Sequence, residues 1–500
     1  MIWRILMGMT QEQGIDVKGL IVSPRLQALN EKIKNLLADR VILKPLTRWN
    51  DAYKEFPRYV MEYLVARYVV DPNNPVDGQK KIDRILTEHY TESAKKELIK
   101  SAIKEKGEYT LLGQLTVRLE AAKDHYWADV PALGENTVRV SQKVLAQYRD
   151  VLLTSGAWGT MEVEYDATYE LKGKKFPFYI RMFTPFQVTR LDLDDYIEKR
   201  PLFSDEEWLD LLIQSIGFNP ERFDRRTKLL MILRLVPFVE TNYNMIELGP
   251  QQTGKTYTYR NTSNRGFIIS GGKATPATLF YNKGTKKLGV VGLKHVVYFD
   301  EISKTKFDEA EASISIFKDF MQTGKFTRGD QEFSASASIV MGGNIDVILE
   351  EKRPSERYEH LFAVLPSELQ DTAFLDRIHA FLPGWEIPVI MPANYAIGYG
   401  FMTDYLAEIF AEFRRRNFIT HLSANVVFNG MNQRNQDSIK KTASGMLKLL
   451  YPHLSPDNIS KEVLEEILNF GMEMRKRVVD QLAIKKPSEF SNVNYDFKLR

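Results

Sequence analysis

The sequence predicts an α/β domain with a parallel sheet and a helical lid, preceded by an α+β region of helices plus a small antiparallel sheet or barrel. Three observations carry this. Strand-like apolar runs alternate with helical runs from Met245 to Pro388, as a parallel sheet with crossover helices requires. A glycine-rich loop, Gly249-Pro250-Gln251-Gln252-Thr253-Gly254-Lys255-Thr256, follows an apolar run (Met245, Ile246, Leu248) and opens a polar helical stretch. Between Tyr109 and about Leu193, short β-branched and aromatic runs are separated by Gly, Pro, Lys and Asp.

In chain order, Ser23 to about Gly107 reads as helices. Thr91 suits an N-cap, and Leu98, Ile99, Ala102 and Ile103 form an apolar stripe that Gly107 stops. TLLGQLTVRL, TMEVEYDATYEL and FPFYIRMF then read as strands, with Leu171–Lys175 as a hairpin turn. Leu193 to Val236 returns to helix, where Ser204 followed by Asp205, Glu206 and Glu207 is a helix start. Beyond Asn394 helices are predicted over Tyr405–Arg416, Ser438–Leu450 and Lys461–Leu482, and the polar tail Lys485–Arg500 reads as loose. The expected domains are a helical region over 1–110, a β-rich subdomain over 111–195, an α/β core carrying the glycine-rich loop over 196–390, a helical lid over 391–484 and the tail over 485–500.

Composition narrows the chemistry. With 44% hydrophobic and 27% charged residues, the 500-residue chain is globular rather than disordered. Its net charge of +3 is too mild to mark the whole surface for nucleic acid, so any basic site must be local. The absence of cysteine excludes disulfides, Fe–S clusters, thiolate zinc sites and cysteine catalysis, and fits a reducing cytoplasm. Seven histidines without an HExxH pattern argue against a zinc hydrolase. No apolar run reaches the ~18–20 residues of a membrane span. The start, MIWRILMGMTQEQ, lacks the long apolar stretch of a secretory signal, and Met7 or Met9 are alternative initiators.

The loop 249–256 matches GxxxxGK[ST]: its backbone wraps phosphate, Lys255 reaches the β/γ-phosphates of ATP, and Thr256 ligates Mg²⁺. The strand His295–Phe299 ends in two carboxylates, Asp300 for Mg²⁺ and Glu301 for the attacking water. Ala337–Gly343 leads to Asn344, placed as the sensor 1 residue of AAA+ ATPases is. Phe374-Leu375-Asp376-Arg377-Ile378 resembles the segment carrying their arginine finger, so Arg377 is expected to serve a neighbouring subunit, with Arg353 and Arg357 as competitors. Arg434, Lys440 or Lys441 at the lid helix are the weaker candidates for a γ-phosphate contact.

Gly324–Phe333 has two β-like arms around a Gly-Asp turn, resembling the hairpin that MCM-type helicases point into their pore; Lys325 and Arg328 would meet DNA phosphates. Lys283, Lys286 and Lys287 are a second basic candidate. Lys172, Lys174 and Lys175, beside Phe176, Phe178 and Tyr179, are a third. Arg414-Arg415-Arg416 reads as a solvated helix face.

The runs ELGPQQTGKTYTYR, IISGGKATPATLFYN, VVGLKHVVYFDEI, FLPGWEIP and KKTASGMLKLLYPH, with LTSGAWGTMEVEYD and SDEEWLDLLIQSIGF before them, resemble the BrxL family, the Lon-like AAA+ proteins of BREX phage-defence systems. The likeness covers nearly the whole chain. It implies an AAA+ P-loop ATPase core with a helical lid, ATP and Mg²⁺ as cofactors, and double-stranded DNA as a partner. It further implies a homo-oligomeric ring, hexamer or heptamer, single or stacked in pairs, working with other BREX components against phage DNA. Longer members carry a Lon-protease-like domain; no Ser/Lys segment of that kind is found here, so proteolysis is not expected. Two other readings remain open at this level: a Lon-type protein-remodelling ATPase without protease activity, and a DNA-binding scaffold that uses ATP only to assemble.

Overall fold

A computed structural model describes residues 22–48, 56–90, 95–120, 124–154, 156–186, 192–308, 310–454, 458–491 and 493–500. Met7, Met9 and Thr91 lie outside the described residues. The chain divides into two compact units, one within 45–188 and one combining 21–44 with 189–500. Among the described residues no helix is long and apolar enough to cross a membrane.

Among the described residues the larger unit opens with α1 (Pro24–Leu37), whose first turn is capped by the Ser23 hydroxyl accepting from the Leu26 amide, and β1 (Val41–Leu43). The smaller unit opens with α2 (Arg58–Tyr68), α3 (Val76–His89) and α4 (Lys96–Lys106). Gly107, at φ 78°, supplies the left-handed residue that ends α4. Ile99 and Ile103 are buried as the stripe requires, but Leu98 is 70% exposed, so the apolar face is narrower than its spacing implied.

Five strands then close into a barrel: β2 (Glu108–Glu120), β3 (His125–Val130), β4 (Glu135–Val140), then after α5 (Gln142–Thr154) β5 (Ala157–Tyr165), and, beyond the hairpin of β6 (Glu170–Leu171) and β7 (Lys174–Lys175), β8 (Phe178–Pro185). Its order is β2-β3-β4-β8-β5. The expected antiparallel pairing holds at every seam but one: β4 and β8 run parallel, with Arg139 opposite Tyr179. The long connection between them, through α5 and β5, is what a parallel pair needs. Alternate residues, Leu111, Leu115, Val138, Met161 and Ile180 among them, fill the interior. The predicted hairpin turn is present, with Lys172 and Gly173 both at positive φ (53° and 79°) as a tight two-residue turn requires.

Back in the larger unit, α6 (Leu193–Lys199) leads to α7 (Asp205–Ser215). The predicted start at Ser204 is a reciprocal cap, its hydroxyl and the Glu207 carboxylate each accepting the other's backbone N–H. After α8 (Arg225–Leu233) come the strands of the central sheet: β9 (Met245–Gly249), then α9 (Lys255–Asn261), β10 (Gly266–Ala274), the hairpin of β11 (Tyr281–Asn282) and β12 (Lys287–Leu288), and β13 (Val296–Phe307). Helix α10 (Ala310–Thr323) precedes a second hairpin, β14 (Lys325–Arg328) with β15 (Gln331–Ser334). The sheet is completed by β16 (Ser338–Asn344) and, past the short pair β17 (Val347–Ile348) and β18 (Arg353–Pro354), by β19 (Ala380–Pro383).

The sheet order is β10-β13-β16-β9-β19, every neighbouring pair parallel. The strand first in the chain, β9, is thus enclosed by the fourth and fifth, and all five of its residues are buried. Chain direction reverses its winding at β9, and ligands of such sheets gather at that point outside the strands' carboxyl ends.

The rest of the larger unit comprises β20 (Tyr399–Phe401), paired with β1, then α11 (Thr403–Phe413), α12 (Ile419–Asn425), β21 (Val426–Asn429), α13 (Gln433–Leu450), α14 (Lys461–Lys485) and β22 (Asp496–Leu499). Two expectations are corrected here. The tail is not loose: β22 pairs antiparallel with β21, and the Arg500 amide donates to the Asn425 carbonyl at 2.9 Å. Nor is Arg414 a solvated cation; it donates to the carbonyls of Pro237 and Glu240 at 2.8 Å, and burial pulls its pKa down to about 10. Arg415 alone of the three is exposed, and it pairs with Glu412 at 2.6 Å.

Candidate nucleotide-binding site

Three strands deliver the predicted phosphate-site residues to one edge of the sheet. Gly249 ends β9 directly opposite Asn344, the last residue of the neighbouring β16. On the other side of β16, Phe299 pairs with Met341, and Asp300 and Glu301 follow where that pairing ends. The loop 249–256 itself needs two unusual backbone positions, Gln252 at φ 62° and Gly254 at φ 77°. Gly249 is required for another reason: a Cβ there would lie 2.5 Å from the Gly384 backbone.

Lys255 is buried, and its ammonium donates to the Pro250 carbonyl at 2.7 Å, with longer contacts to the Gly249 carbonyl (3.3 Å) and Thr253 hydroxyl (3.4 Å). Desolvation pulls its pKa down to about 8, partly offset by the Glu247 carboxylate. A buried cation bonded to neutral oxygens gains most from an incoming polyphosphate. The Thr256 hydroxyl lies 2.9 Å from Asp300 Oδ2, gathering two hard oxygen donors of the kind Mg²⁺ takes. The residues therefore fit the nucleotide and metal expected of them.

Glu301 sits in a marked irregularity. Ser270 pairs with Asp300 and Gly272 with Thr305, so residues 301–304 of β13 face Gly271 alone on β10. Glu301 takes φ 51°, a left-handed conformation that costs a non-glycine residue about 1 kcal/mol. Within the bulge its carboxylate pairs with Lys304, whose ammonium lies 2.9 Å from it.

The remaining candidates are not at this edge. Ala380, which opens β19, pairs with Met245, which opens β9, so the preceding Arg377 lies at the amino edge of the sheet. That is about 13 Å along the strands from Gly249, at roughly 3.3 Å per residue. Its carbonyl accepts from the Asn244 side chain, and its guanidinium donates to Gln322 Oε1 at 2.7 Å and to the Ala373 carbonyl. Burial, and then the nearby charge of Arg434, lower its pKa. Arg434 is held at the same edge by an ion pair with Asp376. Lys441 donates to the carbonyls of Thr241 and Asn242 just before β9, and Lys440 lies over the Phe428 ring. None of the three lid candidates is brought to its own phosphate loop. Arg353 pairs with Glu351 and Glu356, and Arg357 with Asp346.

The basic hairpins are where the sequence put them. Lys325 is exposed and pairs with Glu332 at 3.2 Å, while Phe326 is buried and stacks on Phe333. Phe333 meets Tyr281 of the β11–β12 hairpin at 4.6 Å, and a Cβ on Gly329 would lie 3.3 Å from the Lys283 side chain, so the two basic hairpins touch. Lys172, Lys174 and Lys175 are exposed on the β6–β7 hairpin of the smaller unit.

Sequence reasoning missed the support beneath the loop. Arg234, directly after α8, donates to Glu247 Oε1 at 2.6 Å and to the Thr253 carbonyl at 3.0 Å, with both ionic side chains fully buried. A carboxylate in the otherwise apolar run before the loop was the available signal. It also missed Asp376 as a hub: its carboxylate takes the Arg434 pair and, at 2.5 Å, a bond from the fully buried Arg475 of α14.

Residues 178–496 match the family described as "Lon-like protease BrxL-like, ATPase domain", and residues 35–165 match "BREX system Lon protease-like protein BrxL N-terminal". The chain is 39% identical over 480 residues to a Lon-like protease BrxL of Bacillus cereus (strain H3081.97), spanning 94% of this chain and 69% of that protein. It is 36% identical over 472 residues to one of Escherichia coli O9:H4 (strain HS), spanning 94% and 67%. With the ATPase-domain model over more than half of its length, the N-terminal model before it, and relatives 36–39% identical over 94% of it, the chain belongs to the BrxL family.

Proposed function

We propose that the chain is an AAA+ ATPase that assembles into a homo-oligomeric ring, a hexamer or heptamer, and couples ATP hydrolysis to binding or translocating double-stranded DNA. The setting is cytoplasmic BREX-type phage defence, alongside other BREX components. The observation that carries the ring is the separation of Arg377 and Arg434 from their own phosphate loop. Two cations at the far edge of the sheet, both half-buried, complete a site only when a neighbouring subunit presents its phosphate loop to them. Within each site Lys255 faces the β/γ-phosphates, Asn344 orients the attacking water, and Glu301 accepts its proton. Mg²⁺, when bound, neutralises phosphate charge, and Thr256 and Asp300 would hold it.

The trans assignment has a direct test. Arg377→Ala subunits are expected to bind ATP normally but to hydrolyse it on the order of a thousandfold more slowly, the low end for removal of an arginine finger. Mixing them with Lys255→Ala subunits restores part of the activity, because an intact loop then meets an intact Arg377. Absence of rescue in rings shown by mass spectrometry to be mixed removes the assignment.

For DNA, the β14–β15 hairpin supplies Lys325 and Arg328, while its aromatics are turned to packing, Phe326 buried and Phe333 stacked on it and against Tyr281, rather than presented as the free ring threading motors use on polypeptide. This favours DNA over the protein-remodelling reading. Contacts to phosphate make affinity depend on counterion release and hardly on sequence. The variant with both residues changed to Ala should bind duplex DNA more weakly, with the slope of log affinity against log salt reduced by about 2 per subunit engaged. Arg415→Glu, an exposed charge change elsewhere, should leave the slope alone. An unchanged slope in the hairpin variant moves the contact to Lys172, Lys174 and Lys175.

A further inference from the structure

The barrel of the smaller unit has a specific wiring. Taken in chain order, its first strand pairs with the second and fourth, the second with the third, and the third runs parallel to the fifth, with α5 between third and fourth. This is the topology of the OB barrel, whose second and third strands and the connection between its fourth and fifth form an oligonucleotide-binding face. Here those are β3, β4 and the segment 166–177.

That segment is drawn across the face. Trp127 of β3 points outward from the barrel yet is fully buried, because the rings of Phe176 (4.4 Å) and His125 (4.3 Å) cover it. The Arg139 guanidinium of β4 lies 4.0 Å from the Tyr169 ring and 5.2 Å from the Tyr179 ring. It also donates to the Phe176 carbonyl at 3.0 Å and to Asp166 at 3.2 Å. Both tyrosines remain partly exposed, and beside them the hairpin carries Lys172, Lys174 and Lys175 in the open. Aromatic rings gathered around one guanidinium, next to a short run of cations, make a platform for bases with a rail for phosphates.

We propose that this face is a binding site for single-stranded nucleic acid, separate from the duplex contact of the ATPase unit, with bases on Tyr169 and Tyr179 and phosphates on the three lysines. It goes beyond the proposed function, since neither the ring nor hydrolysis is needed for it.

The test is fluorescence anisotropy of the full chain, without nucleotide, on labelled oligo-dT and oligo-rU of about 20 nucleotides and on a duplex of the same length, a span of one to several OB sites. One variant carries Lys172→Glu, Lys174→Glu and Lys175→Glu; because these side chains are exposed, the fold should survive, and thermal melting checks it. A second carries Tyr169→Leu with Tyr179→Leu. The lysine variant should lose single-strand affinity at least about tenfold and flatten its salt slope by about 2, at about 0.7 per phosphate contact. The tyrosine variant should lose about five- to a hundredfold per stacked base. Duplex affinity should hold in both. Wild-type failure to bind either single strand, or unchanged binding by the lysine variant, overturns the proposal. Equal loss on single strand and duplex also overturns it, placing the hairpin in the duplex site. Retained single-strand binding by a chain that binds no duplex supports it and counts against the duplex-gripping ring instead.

Discussion

Lys255→Ala should abolish measurable ATP binding, weakening it on the order of a hundredfold or more. The loop loses a charge-assisted bond of about 3 kcal/mol at the phosphates, and roughly 1.4 kcal/mol is tenfold in affinity. Isothermal titration with a slowly hydrolysed ATP analogue checks this, and affinity within a fewfold of wild type would place the nucleotide elsewhere. The same variant has a second signature in the nucleotide-free protein. Burial takes Lys255 from its ordinary 10.5 to about 8, so between those values the unfolded chain binds more protons than the folded one. Stability therefore rises with pH across that window, and the alanine variant lacks this part of the rise. Chemical denaturation of both proteins between pH 7.5 and about 10.5 reads the difference.

Glu301→Gln should separate binding from chemistry. ATP affinity stays near wild type because Thr256 and Asp300 are untouched, while turnover falls by about 10²–10⁴, the usual worth of a positioned general base. The bulge sharpens this expectation. Glu301 holds a left-handed backbone that glutamine adopts no less readily, so the exchange removes the proton acceptor and the Lys304 ion pair without rebuilding the loop. Single-turnover hydrolysis measures the step itself; a wild-type rate would mean that another group takes the proton.

What the sequence made legible was local. Gly249–Thr256, Asp300 and Glu301 are short runs whose chemistry is set by neighbours in the chain, and the structure gathers them at one sheet edge. The hairpins at Gly324–Phe333 and Leu171–Lys175 were readable because two-residue turns leave a strong local mark. What escaped depends on distant pairing. The parallel seam of the barrel joins residues 139 and 179, and the Arg234–Glu247 pair joins a helix end to a strand. Arg434 was assigned by position on its helix, but its direction is decided by Asp376, 58 residues away. The polar tail reads as unstructured because β22 takes its pairing from β21, about 70 residues earlier, and no local signal names that partner.

Asp376 has a mechanical consequence. Arg475 reaches it from the middle of α14, and also binds the carbonyls of Asp376 and Ile378 and the side chain of Asn435 on α13. The carboxy-terminal helices and the segment bearing Arg377 are thereby riveted together, and a fully buried guanidinium resists parting because its charge would be left stranded. Any shift of these helices would carry with it the arginines that the proposed ring offers to the neighbouring subunit. In the proposed ring, occupancy would then pass around as displacement, like a latch released by the click of the one before it, and the order in which subunits fire would be written into a single aspartate.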